Sequence, residues 1–402
     1  MSFQIALSGL NAAVSDLNVT ANNLANVGTT GFKQSRAEFA DIFPISAYGT
    51  AAAATGAGVY TSRVAQQFDQ GNVSATGNSL DMAISGDGFF TVSDNGALAY
   101  TRNGSFSTDT SGYVVTSTGS RLQVFPALSN GNFDTANLSD LQLSTSTNPP
   151  KATTGISADF NLPANATQPS NTTFDATDAT SYNQSTAVTV YDSLGVAHQA
   201  SLYFVKNATA NSWDVHTQID GTDAGTATLT YDSAGALTTP AGGTVAMAFT
   251  SSNGSANLAV NLNVADSTQY GNSFSSSSTQ DGYATGQLTT ISIDSEGVVS
   301  ARYTNGQATP LGQVALTRFA SNQGLQQLGS NTWAATYASG SPQVGAAGSP
   351  GFGAVQSGSL EDSNVDVTAQ LVHMITAQRN YQANAKMIST SDEITQTIIN
   401  LR

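Results

Sequence analysis

The chain contains no cysteine, which removes disulfides, thiolate metal sites and thiol catalysis at a stroke. Histidine is nearly as scarce, with three in 402 residues, so imidazole chemistry is thinly supplied. Lys and Arg together number 12 against 27 acidic residues, a formal net charge of -15. A surface this poor in cations cannot meet the phosphates of nucleic acid or an anionic membrane, and neither partner is expected. Charged residues make up only 10% of the chain, against about 25% in an average soluble protein. Large aliphatics are thin too: Leu, Ile, Val and Phe form roughly a fifth of the residues, near the level below which chains stop folding. No run of about 18 apolar residues occurs, so no membrane insertion is expected. The start could be mistaken for a secretory signal. It lacks a basic region, however, and Ser8, Asn11, Ser15, Asp16 and Asn18 break its apolar core.

What the chain does have is a helical pattern at each end. Phe3, Leu7, Leu10, Val14, Leu17, Ala21 and Leu24 follow at alternating spacings of four and three, a heptad seam. Asn22, Asn23 and Asn26 then lower helix propensity, and Gly28 is a suitable stop. Near the other end Asp362, Ser363 and Asn364 are helix-starting residues ahead of Val367, Leu371, Met374, Gln378, Tyr381, Ala385 and Ile388, with Ile394, Ile398 and Leu401 beyond. No Pro or Gly occurs after residue 358, which permits one helix of about 35 residues.

Between the ends the period changes from seven to two. Residues 186–205 read as two alternating strands around Asp192-Ser193-Leu194-Gly195, and the same Asp-x-x-Gly pattern recurs at Asp232–Gly235, Asp294–Gly297 and Asp109–Gly112. Asn-Gly pairs at 95–96, 103–104, 253–254 and 305–306 add hairpin signals. Residues 122–301 hold fourteen acidic residues against Lys151 and Lys206. Pro149-Pro150 and the Ser/Gly-rich stretch 271–286 bracket a candidate insertion. The expected fold is therefore mainly β with α-helical termini. Residues 1–33 and 359–402 form a coiled-coil-like terminal domain, 34–71 a connector without clear period, 72–145 and 285–358 an inner all-β domain, and 146–284 a second all-β domain inserted into it.

A search for chemistry finds little. His198, His216 and His373 have no second ligand at metal spacing, and strand surface or helix surface is their default position. No G-x-S-x-G elbow, Walker loop or H-E-x-x-H is present, and Gly86-Asp87-Gly88 runs into Phe89-Phe90 as a turn between strands. Asp214, Asp220 and Asp223 do not have EF-hand spacing and read as a solvated acidic face. No catalytic residue, metal or cofactor is expected.

The helical seams remain. A helix pair closing the core of one molecule is the plainer account, yet two lone helices of small and medium residues bury little. An N-terminal helix of this length is marginal in water, so order in a single molecule is not expected. Complete burial of its six large seam side chains would contribute on the order of 10 kcal/mol as an upper bound. That gain requires partners on several sides, most simply other copies of the chain. The expected helical interface comprises Phe3, Leu7, Leu10, Val14, Leu17 and Leu24 with Leu371, Met374, Tyr381, Ile388 and Ile398.

At these same residues the sequence resembles the axial rod and hook family of the bacterial flagellum. Residues 8–33, SGLNAAVSDLNVTANNLANVGTTGFK, look like its N-terminal signature, and residues 360–390, LEDSNVDVTAQLVHMITAQRNYQANAKMIST, like its C-terminal one. Signature positions are Asn22, Asn23, Asn26, Gly31, Phe32, Asn364, Gln378, Arg379 and Tyr381. GNSLDMAISGDGFFTVSDNG and YTRNGSFSTDTSGYVV, at 77–96 and 100–115, are similar to the family's inner β domain. TAVTVYDSLGVAHQASLYFVK, at 186–206, is similar to an outer-domain segment of its hook branch, and the length suits that branch better than the distal rod. The resemblance implies a self-assembling, curved tubular polymer outside the cell that joins rod to filament and transmits torque as a universal joint. It further implies export through the flagellar type III apparatus, and neighbours that include a distal rod protein, a hook cap and a hook–filament junction protein. A straight distal rod subunit and an extracellular β-rich adhesin are the alternatives.

Overall fold

A computed structural model describes residues 2–43, 56–143 and 147–400. The chain divides into two compact units, Met1–Thr145 with Thr290–Arg302 and Ala308–Arg402, and Ser146–Thr289 with Tyr303–Gln307.

The first unit carries both helices, α1 (Ser2–Ala25) and α2 (Val367–Asn400). Residues 34–71 are more than a connector: strands β1 (Ser35–Ile42) and β2 (Gly58–Gln66) pair antiparallel, from Ser35 opposite Gln66 to Ile42 opposite Gly58. A register shift between Glu38 and Phe39 interrupts the alternation, which is why no period of two shows in this stretch. The β core of this unit is built on the strands Met82–Ser85, Phe89–Asp94, Arg121–Pro126 and Ala308–Arg318. Met82, Ile84, Phe90, Val92, Leu122, Val124, Val314 and Leu316 are at most 1% exposed within it. A smaller aromatic nest of Phe89, Tyr100 and Trp333 packs with Phe68 and Phe319 at centroid spacings of 4.8–6.2 Å. Asn95-Gly96 makes the expected hairpin turn, with φ of +51° and +92°. Asn103-Gly104 does not. Gly104 accepts the Met82 N–H through its carbonyl, and a Cβ there would collide with the Met82 oxygen, so this glycine serves a strand crossing.

The second unit is a β-sandwich. A meander of five antiparallel strands, from Gln184–Tyr191 to Leu237–Thr239, faces a second five-stranded sheet centred on Gly155–Pro163. Alternate residues point inward: Ile156, Ala158, Phe160 and Leu162 from one sheet meet Leu202, Phe204, Trp213 and Val215 from the other in one continuous core. Phe160 and Phe204 pack with ring centroids 4.6 Å apart and planes tilted by 52°.

The Asp-x-x-Gly pattern has one structural meaning at all four places. The Gly amide donates to the Asp carbonyl at 3.0–3.1 Å, and the glycine φ lies between +74° and +83°, where a Cβ would be strained. Each Asp Oδ1 in turn accepts the amide four residues on, at 2.8–2.9 Å.

Candidate functional site

The two helices run antiparallel side by side. Gly9 faces Asn384, Asp16 and Thr20 face His373, and Asn23 faces Gln370. Small residues make that approach: Ala6, Ala13 and Thr20 of α1 and Ala377 of α2 are 1–7% exposed. The stripe that turns inward lies about 70–90° around α1 from the mean direction of the seam of large residues, at about 100° per residue. The pair is ordered within a single molecule because the hairpin supplies a further partner. Ser8 Oγ accepts the Val59 amide at 3.1 Å, and Gly58 lies against Ser8 and Ile5.

The large residues are left outside. Phe3 is 45% exposed, Leu7 40% and Val14 36%, while Leu10, Leu17 and Leu24 are half-buried. On α2, Met374 and Ile388 are half-buried and face inward with Ala377, Tyr381 is 38% exposed, and Leu371, at 43%, lies off that stripe beside exposed Val367 and Ile375. The inward face of α2 therefore runs through Gln370, Met374, Ala377, Asn384 and Ile388: it keeps Met374 and Ile388 of the expected seam and replaces Leu371 and Gln378 by the residues one position before them. The reason is size: close antiparallel packing selects alanine and short polar residues over leucine. The side chain of Ile398 lies outside the described residues.

Polar signature residues divide between the interior and solvent. Asn23 is 2% exposed; its Nδ2 donates to Ser35 O at 2.7 Å and its Oδ1 accepts the Ser35 amide at 2.8 Å, which fixes the helix end to β1. Asn26 Nδ2 donates to Asn22 O at 2.9 Å, with exposed Asn22 engaged through its backbone alone. Gly31 has φ +67°, and a Cβ there would strike the backbone of Asn103. Phe32 is half-buried. Asn364 accepts the Gln34 amide at 2.8 Å and donates to Gln67 O at 2.9 Å, tying the start of α2 to both strands of the hairpin. Gln378 and Arg379 are exposed on α2.

An ion cluster at the root of the helices has no counterpart among the expected site residues. Glu361, fully buried, lies 2.6 Å from Lys33 Nζ and 3.3 Å from Arg102 Nη1, and accepts the Gly71 amide at 2.9 Å. Lys33 also donates to Asp69 O at 2.8 Å, and Arg102 to Gly86 O at 2.8 Å. Burial pushes the Lys33 ammonium below its usual range, with Glu361 opposing that shift, and it lowers Arg102 in the same manner. Three separated segments, at Lys33, Gly71 and Arg102, are thereby tied to one carboxylate. The available signal was scarcity: in a chain with so few charges, Lys33, Arg102 and Glu361 all fall inside the motifs quoted above.

Family models match most of the chain. The flagella basal body rod protein model covers residues 3–33, and the flagellar hook protein FlgE/F/G D1 domain covers 83–173. The flagellar basal body protein FlaE D2 domain covers 161–283, and the flagellar basal body rod FlgEFG protein C-terminal model 356–401. Flagellar hook protein FlgE of Salmonella typhimurium strain LT2 is 41% identical, and that of Escherichia coli K12 40%, each over the whole of both chains. The chain belongs to the flagellar hook protein family. A Borreliella burgdorferi hook protein is 31% identical over all of this chain and 99% of its own. The crystal structure of Helicobacter pylori flagellar hook protein FlgE2 shares the fold, with a TM-score of 0.54 at 16% identity, covering 72% of this chain and all of that one. This hook-family chain is a structural, polymeric component of the bacterial flagellum, placed at its hook and basal body.

Proposed function

We propose that the terminal helices form the inter-subunit helical layer of the hook, with Phe3, Leu7, Leu10, Val14, Leu17 and Leu24 of one copy meeting Leu371, Met374, Tyr381, Ile388 and Ile398 of its neighbours. Phe3, Leu7, Val14, Leu371 and Tyr381 present the outward area, and half-buried Leu10, Leu17, Leu24, Met374 and Ile388 only their open edges. The observation that carries this is the exposure of Phe3, Leu7, Val14 and Leu371 at 36–45% although α1 and α2 already pack together. Apolar area left in water by a completed helix pair is recovered by polymerisation at about 25 cal/mol per Å². The β units remain rigid, and curvature arises at shallow, polar contacts between copies. By the same family logic the axial neighbours are a distal rod protein, a hook cap protein and a hook–filament junction protein. The subunit travels through the flagellar type III export apparatus and performs no catalysis.

Leu7→Asp combined with Val14→Asp tests the proposal, because both residues face solvent in the single molecule. The variant is expected to keep the helix pair and both β units, judged by circular dichroism, yet to form no polymer under conditions where the parent does. Hooks of normal yield from that variant would overturn it. A distal rod subunit shares the terminal signatures, and two of the matching models carry the rod name. Helical curvature of the purified polymer favours the hook, and a straight shaft the rod.

A further inference from the structure

His198 stands on the strand Ala197–Lys206 of the second unit and is 8% exposed, against the surface position expected of it. Both ring nitrogens face carboxylates: Nδ1 lies 2.6 Å from Asp220 Oδ2, and Nε2 lies 3.4 Å from Asp192 Oδ2. Asp192 is an acceptor on every side. Its Oδ1 receives the amides of Leu194 and Val196 at 2.9 Å, and its Oδ2 the Asn253 side chain at 2.6 Å. Asp220 Oδ1 likewise receives the Gln199 amide at 2.9 Å. A neutral imidazole has one donor and one acceptor nitrogen, so it can satisfy only one of these carboxylates. Only the imidazolium donates to both.

We propose that His198 is held as an imidazolium between Asp192 and Asp220 and acts as a pH-released clasp on three loops of the outer β unit. The loops are the Asp192–Gly195 turn, the turn at Asp220–Gly221, and residues 251–256, which Asn253 joins to Asp192 and whose Ala256 amide donates to Ser193 Oγ at 2.9 Å. Asp192 and Asp220 are the charged groups facing the ring, with the Phe249 ring tilted against it at 5.3 Å. Burial alone would push the imidazole down, but the hydrogen bonds it donates to Asp220 and Asp192 raise it above its ordinary value. A raised value makes the clasp fully effective below the unfolded histidine pKa of about 6.5 and releases it as pH climbs through the folded value.

The test uses the full chain with ¹⁵N-labelled histidine, whose three ring systems are assigned by the signals lost in His198→Gln. Both ring nitrogens of His198 should carry protons through the ordinary imidazole range, with the titration midpoint above it. Above that midpoint, hydrogen-exchange protection of Leu194, Val196 and Gln199 should fall. Asp220→Asn, at a carboxylate 47% exposed, should return the midpoint to the ordinary range without unfolding the unit. A midpoint within or below the ordinary imidazole range, a midpoint indifferent to Asp220→Asn, or unchanged protection above the midpoint would each overturn the proposal. The Asp220 variant keeps it falsifiable should His198→Gln fail to fold.

Discussion

The terminal helices and the β-sandwich of the second unit spend the same scarce resource in opposite ways. In the sandwich, nearly every large apolar side chain points inward: Leu202, Phe204, Trp213, Val215 and Leu262 are fully buried. In α1 the buried positions are Ala6, Ala13, Thr20 and Asn23, while Phe3, Leu7 and Val14 face out and Leu10, Leu17 and Leu24 are only half-buried. A composition with so little Leu, Ile, Val and Phe supports closed cores only in the β units. The helices pack through small-residue contacts and backbone-directed asparagines, and they leave apolar area in water. The sandwich closes its core within one chain, whereas the helical ends leave Phe3, Leu7, Val14 and Leu371 exposed.

The two tryptophans allow that contrast to be measured, since Trp333 is buried in the first unit and Trp213 in the second. The largest effect is expected from Glu361→Gln, which leaves Lys33 and Arg102 buried without their counter-charge. Loss of one partner from such a cluster costs about 3–5 kcal/mol. Urea unfolding followed by Trp333 in a Trp213→Phe background should show that loss, while Trp213 in a Trp333→Phe background reports an unaltered sandwich. Equal losses at both probes would mean the units do not unfold separately. The complementary change is Phe204→Ala, which removes a fully buried ring from the sandwich at a cost of about 3 kcal/mol. It should depress only the Trp213 transition and leave polymerisation intact. Failure to polymerise would place assembly contacts in the outer unit as well.

The sequence makes the β-sandwich easier to anticipate than the helical site because a strand has only two faces. Alternation through 186–205 marks buried residues directly, and Asp-x-x-Gly names its own turn. A helix has a full circle of directions. The spacing of Leu7, Val14 and Leu24 locates the apolar stripe, but not which stripe the molecule uses for itself, since Ala and Thr leave no hydrophobic signal. The hairpin of β1 and β2 escapes notice because its register shift breaks the period. The cluster around Glu361 escapes because its members are 259 and 328 residues from their partners. The acceptors around His198 are near in the chain, Asp192 six residues before it and Asp220 twenty-two after it, but neither spacing marks a pair that closes on one ring.

A moderate effect is expected where small size itself is the requirement. Ala13→Leu places three extra carbons at a position 7% exposed, and overpacking of that kind costs about 1–3 kcal/mol. The helix pair should loosen, seen as faster hydrogen exchange across residues 6–23, with both tryptophan transitions unchanged. Unchanged exchange would show that α1 and α2 approach less closely than the geometry requires.

The smallest predicted effect concerns Asp281, where the chain leaves the sandwich beside its point of entry. Its carboxylate accepts the Thr154 hydroxyl at 2.7 Å and the amides of Thr154 and Gly155 at 2.8 and 3.0 Å, with Lys151 Nζ at 3.1 Å. Burial opposes ionisation there, but these bonds together hold the carboxyl well below its usual range. A depressed value means that the contribution is present above the unfolded aspartate pKa of about 3.9 and is lost as pH falls toward the folded value. The side chain is 37% exposed, so solvent screens part of it, and about 1 kcal/mol at pH 7 is the reasonable scale. Asp281→Asn should therefore lower the Trp213 transition slightly at pH 7, and the gap to the parent should narrow as the solution is acidified below pH about 4. A gap of constant size across that range would mean that the carboxylate acts through shape alone, and the sandwich would then close by packing without help from its charged seam.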